Sequence, residues 1–559
     1  MIPSVLLAVG LLGSVQEPPA GPQEPENSAQ GVPRRKKVAS QESGPEPEAS
    51  GFDQFLEHVY GNLEEARERE RRQSALELAH RWETRLHELE TGKDKDSPES
   101  KKEAERIRQD LEQLAGTEPW GRKLFDPIFV IDGRLEVRHN VDPTVPGANE
   151  DSLLHFRWGL GFQSRVSEDV RATVLAVQSR TWFAENSGLR QQDYLNLYAA
   201  WADVRLYDEG IPAVASAGRM PIHIGEGRMV GQDWWSNDAR SFDALEISNR
   251  SWIGEPLHSA YIDTMVFAGR PVQVPRGVTD NRKFNRSDPD VTLIGASSKL
   301  ELEDETTRIG AYLLRDTDLN PSTPSDFGPG TRRVNTAGLT GVGDLLPSIE
   351  LGGEAAYQWG EVAGGPQSAW ALHAQMRFHA PEDAEERSWW IRRGIFLEYN
   401  YASGDRNPTD GRSGTFLTPY PSPHALHGIA DLVGWQNMEE YAVRWQLSLG
   451  SGKPGQRTGE RSTASRFWDR VKDDSYFEFG YHKFFLASRR DAYYGARGEV
   501  IGRDVTGKAS GDLGTEFDFC WTFDILEIGY ARFRAGQFLA DTGAAKDASI
   551  FYMSLFRGF

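Results

Sequence analysis

In LLHFRWGLGFQSR, residues 153–165, apolar and polar side chains alternate. Leu154, Phe156, Trp158, Leu160 and Phe162 share one face, while Arg157, Gly159, Gly161, Gln163 and Arg165 share the other. A period of two places these residues on a β-strand with one apolar and one polar side. The pattern recurs along the chain. SIELGGEAAYQWG sets Ile349, Leu351, Ala355, Tyr357 and Trp359 against Glu350, Glu354 and Gln358. NMEEYAVRWQLSLG sets Tyr441, Val443, Trp445, Leu447 and Leu449 against Glu440, Arg444, Gln446 and Ser448. DLGTEFDFCWTF sets Phe517, Phe519, Trp521 and Phe523 against Glu516, Asp518 and Cys520. Lipid outside and water inside select such strands. A soluble sandwich also alternates, but it does not need strands this long or Trp and Tyr gathered at strand ends. Nor does it need the ending FYMSLFRGF, where Phe551, Met553, Leu555 and Phe559 keep one parity and Arg557 interrupts it as a residue that snorkels to the interface.

The remaining sequence divides into zones. The chain has 559 residues and no uninterrupted apolar run of about 18, which excludes a helical membrane protein. A net charge of -20 argues against nucleic acid as a partner. Residues 1–16 read as a signal peptide, with an apolar core from Val5 to Leu12. Residues 17–50, rich in Pro, Glu, Ser and Gln, read as a disordered linker. In 51–116, Leu76, Ala79, Trp82, Leu86 and Leu89 recur at helical spacing, Gly92 and Pro98 break the pattern, and a second helix restarts behind Ser97. This segment is expected to be an α-helical hairpin or coiled coil in the periplasm, able to meet a periplasmic partner or the cell wall. From 117 to 559 period two prevails. Stretches 273–290, 316–347, 403–436, 450–473 and 488–512 read as long polar connectors, beyond the usual two to six residues. At roughly 24 residues per strand with its share of loop, the zone holds about 18 strands, an even number as single-chain bacterial barrels require. The expected fold is all-β: a transmembrane antiparallel β-barrel in outer-membrane lipid, with an N-terminal α-helical extension.

Several motifs fail their context. GEGRMVG, residues 225–231, is spaced like a dinucleotide loop, but no helix follows in QDWWSNDARS. HALH (424–427), with Asp431 nearby, lacks the further ligands a metal site needs and reads as loop histidines. DRNPTDGRSG (405–414) begins like a calcium loop, but the twelfth position is Phe416, so a turn is the better reading. There is no G-x-S-x-G elbow, and the single cysteine, Cys520, has no partner. No catalytic residue, metal ligand or cofactor is assigned.

The barrel zone resembles a known family, the alginate export outer-membrane barrels, over roughly residues 125–559. AGRMPIHIGEGR followed by DWWSNDARSFDALEI is similar to the family's GRQ…G…R-x-FDG segment. Glu354, Tyr357, Gln358 and Gly360 resemble its E-x-x-x-Q-x-G strand. YNYASGDRNPTDGRSGTFLTPYPSPHALHGIADLVGWQN resembles its long loop, and YHKF, DLGTEFD and RFRAGQF resemble its last strands. Met220 and Ala244 depart from the family's usual Gln and Gly. The resemblance implies a monomeric barrel passing an anionic polysaccharide through an arginine-rich constriction. Arginine suits that task because it stays charged and offers carboxylates a planar fork. Face alternation makes Arg138, Arg157, Arg165 and Arg444 lumen candidates, with Lys299. Arg219, Arg228 and Arg240 are assigned by matching the family segment, as are Glu354 and Gln358. The alternatives on the same scaffold are a general or small-anion porin and a structural barrel that anchors the envelope.

Overall fold

The computed structural model describes residues 125–141, 150–167, 169–183, 194–206, 213–236, 239–253, 260–273, 285–302, 307–320, 330–380, 394–448, 475–525, 529–541 and 546–558. The signal peptide, linker and helical extension expected over 1–116, the connector 450–473 and the side chain of Arg557 lie outside the described residues.

The chain forms β1 (Phe125–His139), β2 (Glu150–Arg165), β3 (Val170–Trp182), β4 (Tyr194–Leu206), β5 (Ala213–Met220), β6 (Phe242–Ile253) and β7 (Ala260–Gln273). A two-residue strand, β8 (Arg286–Ser287), extends the end of β7. There follow β9 (Val291–Leu302), β10 (Arg308–Asp318), β11 (Arg332–Leu346), β12 (Ile349–Val362), β13 (Gly365–Phe378), β14 (Gly394–Ala402), β15 (Met438–Ser448) and β16 (Tyr476–Leu486). A small hairpin, β17 (Ala492–Tyr494) and β18 (Val500–Arg503), stands apart from the main sheet. The wall ends with β19 (Asp512–Ile525), β20 (Gly529–Ala540) and β21 (Ala548–Gly558). Each long strand pairs antiparallel with the next, and β1 pairs with β21 from Val130↔Gly558 to His139↔Ser549. The result is a closed barrel of 18 strands. Closure satisfies every strand edge, which a chain surrounded by lipid requires.

The alternation read from the sequence is the alternation of the wall. In β2, Leu154, Phe156 and Leu160 face outward while Asp151, Leu153, His155 and Arg157 are buried inside. Leu245, Leu313 and Leu339 are 65%, 58% and 63% exposed on the outer face. Such a continuous apolar exterior is stable only against lipid. Two connections are two-residue turns, 347–348 and 363–364. In the second, Ala363 and Gly364 both have positive φ (48° and 83°), as the tight hairpin requires.

One expected connector is overturned. Stretch 316–347 is not a loop, because β11 occupies Arg332–Leu346 within it. Its inward positions are small for a reason: a Cβ on Gly338 would land on the ring of Tyr312 from β10. The strand therefore shows little hydrophobicity, and its Gly and Thr content resembles a loop.

Most long connections emerge at one end of the barrel. At the other end, connections such as 166–169, 303–307 and 347–348 are short, although 379–393 and 449–475 at that end are longer. Segments 221–241 and 403–437, both from the long-loop end, fold back into the barrel. Met229, Val230, Phe416, Ile429, Ala430 and Val433 from these segments pack with Phe242, Leu293, Tyr312, Leu314 and Phe538 from the wall in one buried cluster. The β17–β18 hairpin closes over them, and Tyr493 donates to the Leu432 carbonyl at 2.9 Å.

Candidate functional site: the barrel lumen

Segment 221–241 is held to the wall by arginines that stack on its tryptophans. Arg157 of β2 donates to the carbonyls of Trp234 (2.8 Å) and Ser236 (3.0 Å) and pairs with Asp132 of β1 at 2.5 Å. Its guanidinium lies 4.0 Å from the centre of the Trp234 ring. Arg134 of β1 repeats the arrangement one residue along: it donates to the Trp235 carbonyl (3.0 Å) and stacks 3.5 Å from that indole. Arg134 and Arg138 share the buried Glu136 as counter-charge. Trp235 also stacks on His424 of the second segment, with centroids 3.6 Å apart and planes 2° from parallel.

The second segment, 403–437, is pinned along its length. Gln358 of β12 donates to the Leu417 carbonyl (2.7 Å) and accepts from the Leu417 amide (2.9 Å), reproducing a strand pairing with one side chain. His424 shares hydrogen bonds with Asp431 (2.8 Å) and the Tyr552 hydroxyl (2.9 Å). His427 and His482 each donate to Glu440 at 2.6 Å, and Asn400 adds a third donor at 2.9 Å. The amides of Ile429 and Ala430 donate to Asp518 (3.2 Å) and Glu516 (2.8 Å). Gly428 makes this approach possible. Its φ is +78°, and a Cβ there would sit 2.5 Å from the Glu516 carboxylate. The histidines of HALH are thus buried anchors rather than plain loop residues.

The two segments also bind each other. Arg240 reaches three backbone carbonyls with one nitrogen: Gly231 (2.9 Å) in its own segment, and Tyr420 (2.7 Å) and Pro421 (2.8 Å) in the other. Arg228 donates to Glu226 at 2.8 Å, approaches His427 at 3.5 Å and faces the ring of Trp435. Enclosure alone raises the Glu226 carboxyl, but Arg228 and His373 outweigh it and hold it down at about 2. Burial lowers His424 and His427 below the ordinary histidine value, against the opposing pull of Asp431 and Glu440.

A model of the family described as alginate export matches residues 131–553. The chain belongs to the alginate export family. In fold the chain is similar to solved outer-membrane barrels at low identity. The outer membrane protein OpdK of Pseudomonas aeruginosa is 10% identical, with a TM-score of 0.49 over 78% of this chain and 98% of its own. OccK2 (OpdF) of the same organism, solved in complex with glucuronate, is 12% identical with a TM-score of 0.45 over 78% and 98%. OccAB3 of Acinetobacter baumannii is 13% identical with a TM-score of 0.49 over 78% and 99%. No curated protein matches the chain in sequence. The family match and the lipid-facing exterior make this family member an outer-membrane channel.

The ten residues singled out in the sequence of this family member separate in space. Arg157, Arg228 and Arg240 meet at the inward segments, with Gln358 and the buried Glu354, whose carboxylate accepts from the Tyr312 hydroxyl at 2.6 Å. Arg138 lies nearby on Glu136. Arg444 sits deeper, on Glu398 and Gln375 with Glu478 at 3.8 Å. Lys299 faces the lumen between Asp263 and Glu301, both at 3.6 Å, and is 45% exposed. Arg165 ends β2 on the lumen side of the short-turn end, half-buried. Arg219 differs. It pairs in register with Ala200 and Asp243 and shares the outward parity of Ala217, so it sits at the rim rather than in the lumen wall. There it forks onto Asp243 at 2.7 and 3.0 Å. The sequence reading singled out neither Arg134 nor His482, took Glu440 only as a polar-face residue and read His427 as a loop histidine. Arg134 shares the parity of Arg138 and was within reach of that argument. Glu440 and His482 are inward neighbours on β15 and β16, and His427 joins them only through the folding-back of 403–437.

Proposed function

We propose that this channel passes an anionic polysaccharide of the polyuronate class, without a chemical step. The observation that carries the reading is how the lumen cations are engaged, within a family named for alginate export. Arg228, Arg240 and Arg444 are held by protein carboxylates or carbonyls that a passing uronate carboxylate can replace one at a time. Exchange between matched partners keeps each site weak enough to release its sugar to the next. It also lets the same groups close the lumen when no chain is present.

Recording from the full-length protein in planar bilayers tests this. Polyuronate oligomers added to one side should block small-ion current in a length-dependent way, and Arg444→Gln should weaken the block. Indifference to polyuronate would remove the proposal. A second reading, a porin for small anions, is favoured by the packing of 221–241 and 403–437 inside the barrel, which narrows the long-loop half. It predicts anion selectivity with no dependence on oligomer length.

A further inference from the structure

The outer wall carries charges that the lumen does not explain. On β7, β10 and β11 the outward parity carries an arginine near the long-loop rim, where Trp or Tyr is usual. Arg270 shares the parity of Val266, and Arg315 that of Ile309 and Leu313. Arg333 shares that of Leu339. All three are exposed. Arg333 has Glu361 at 3.8 Å with both side chains 46% exposed, so solvent weakens that pair. Arg270 and Arg315 make no hydrogen bond or ion pair among the described residues.

The register brings them together. Gly269 lies opposite Leu293, so Arg270 continues next to Thr292 of β9; Thr292 lies opposite Thr317, and Thr317 opposite Arg333. Arg315 lies one step deeper, opposite Ile294 and Asn335. Arg270 and Arg333 are therefore three strand spacings apart, about 14 Å, with Arg315 between and below them. Ile294 lies level with Arg315, and Val266 and Leu313 lie one outward step deeper as exposed apolar wall. Arg270 faces Asp243 of β6, which Arg219 already engages, and the guanidinium charge that remains at this interfacial depth is matched by an anion of the surrounding lipid.

We infer that this face is a fixed binding site for a phosphorylated glycolipid of the outer leaflet, of the lipopolysaccharide type. Its acyl chains lie against the apolar wall of β7–β11, and its phosphates are held by Arg270, Arg315 and Arg333. Charge complementarity identifies the phosphate, because planar guanidinium groups grip its oxygens through paired hydrogen bonds. Position identifies the leaflet, because the arginines lie at the long-loop end, which in outer-membrane barrels faces the cell exterior. The site is independent of what passes through the lumen.

Native mass spectrometry of the full-length protein in nonionic micelles tests the inference, with three probes: diphosphorylated lipid A, its enzymatically dephosphorylated form, and phosphatidylglycerol. Wild-type protein should retain the diphosphorylated probe at least about tenfold better than the other two. Equal retention of the dephosphorylated form would overturn the proposal without need of any variant. Equal retention of phosphatidylglycerol would overturn the assignment to a glycolipid. The double variant Arg270→Gln/Arg315→Gln should lose most of the preference and Arg270→Lys/Arg315→Lys should keep part of it. Arg180→Gln, which removes a cation stacked on Trp182 at the same end of β3, should change nothing. An unchanged preference in the Gln double variant would also overturn it.

Discussion

Arg240 is the residue through which the two inward segments hold each other, and its replacement by alanine gives the sharpest test of what keeps them packed. One nitrogen reaches carbonyls at 2.7, 2.8 and 2.9 Å, two of them in the other segment. A nitrogen with two hydrogens cannot make three full bonds, so the set counts as about two. Hydrogen bonds to a charged group contribute about 1.5–3 kcal/mol each, and neighbours do not add fully. A loss of about 3 kcal/mol is the central expectation, or about 150-fold in equilibrium. A packed state populated 99:1 over a separated one would fall to roughly 40:60. Single-channel recording reads this directly, as a channel that is mostly quiet becoming one that fluctuates between two conductances with comparable dwell times. Arg240→Lys keeps the charge but loses the fork, so it should lie between. Quiet records from Arg240→Ala, matching wild type in conductance and noise, would show that the apolar cluster alone holds the segments and that the carbonyl bridge is incidental.

Other consequences follow from the same geometry. Gln358→Leu removes both bonds to Leu417 and should weaken the packing of 403–437 by about 1–2 kcal/mol, seen as faster proteolysis within that segment; unchanged cleavage would count against the pin. Gly428→Ala places a Cβ in a left-handed backbone against the Glu516 carboxylate, and should raise current noise more than Arg240→Lys does. Burial holds His424 and His427 below the ordinary histidine value near 6.5, and release restores it. The separated state thus binds more protons as pH falls through about 6.5, so acidification from pH 7.5 to 5.5 should favour opening. A double His424→Gln/His427→Gln variant should flatten that dependence.

The sequence showed the wall more plainly than the lumen, and the reason is local. Side-chain direction along a strand follows from neighbours two residues away, so Leu154 outside and Arg157 inside could be read from LLHFRWGLGF alone. β11 escaped because its inward positions must stay small beside Tyr312, and small residues erase the contrast that alternation depends on. Arg219 was drawn toward the lumen by its place in a family segment, whereas its own parity, set by Ala217 two residues before, turns it to the rim. The anchors of the inward segments lie beyond any local rule. His427 finds Glu440, and Arg157 finds the carbonyls of Trp234 and Ser236, only because two connectors turn back into the barrel. Composition did hint at that turn, since 221–241 and 403–437 carry Met229, Val230, Phe416 and Trp435, residues too apolar for connectors that stay in water. The glycines of GEGRMVG belong to the same logic. Gly225 lies against Glu354, Gly227 against His223 and Gly231 against Ser422, so they let the backbone pass through a crowded interior rather than cradle a phosphate.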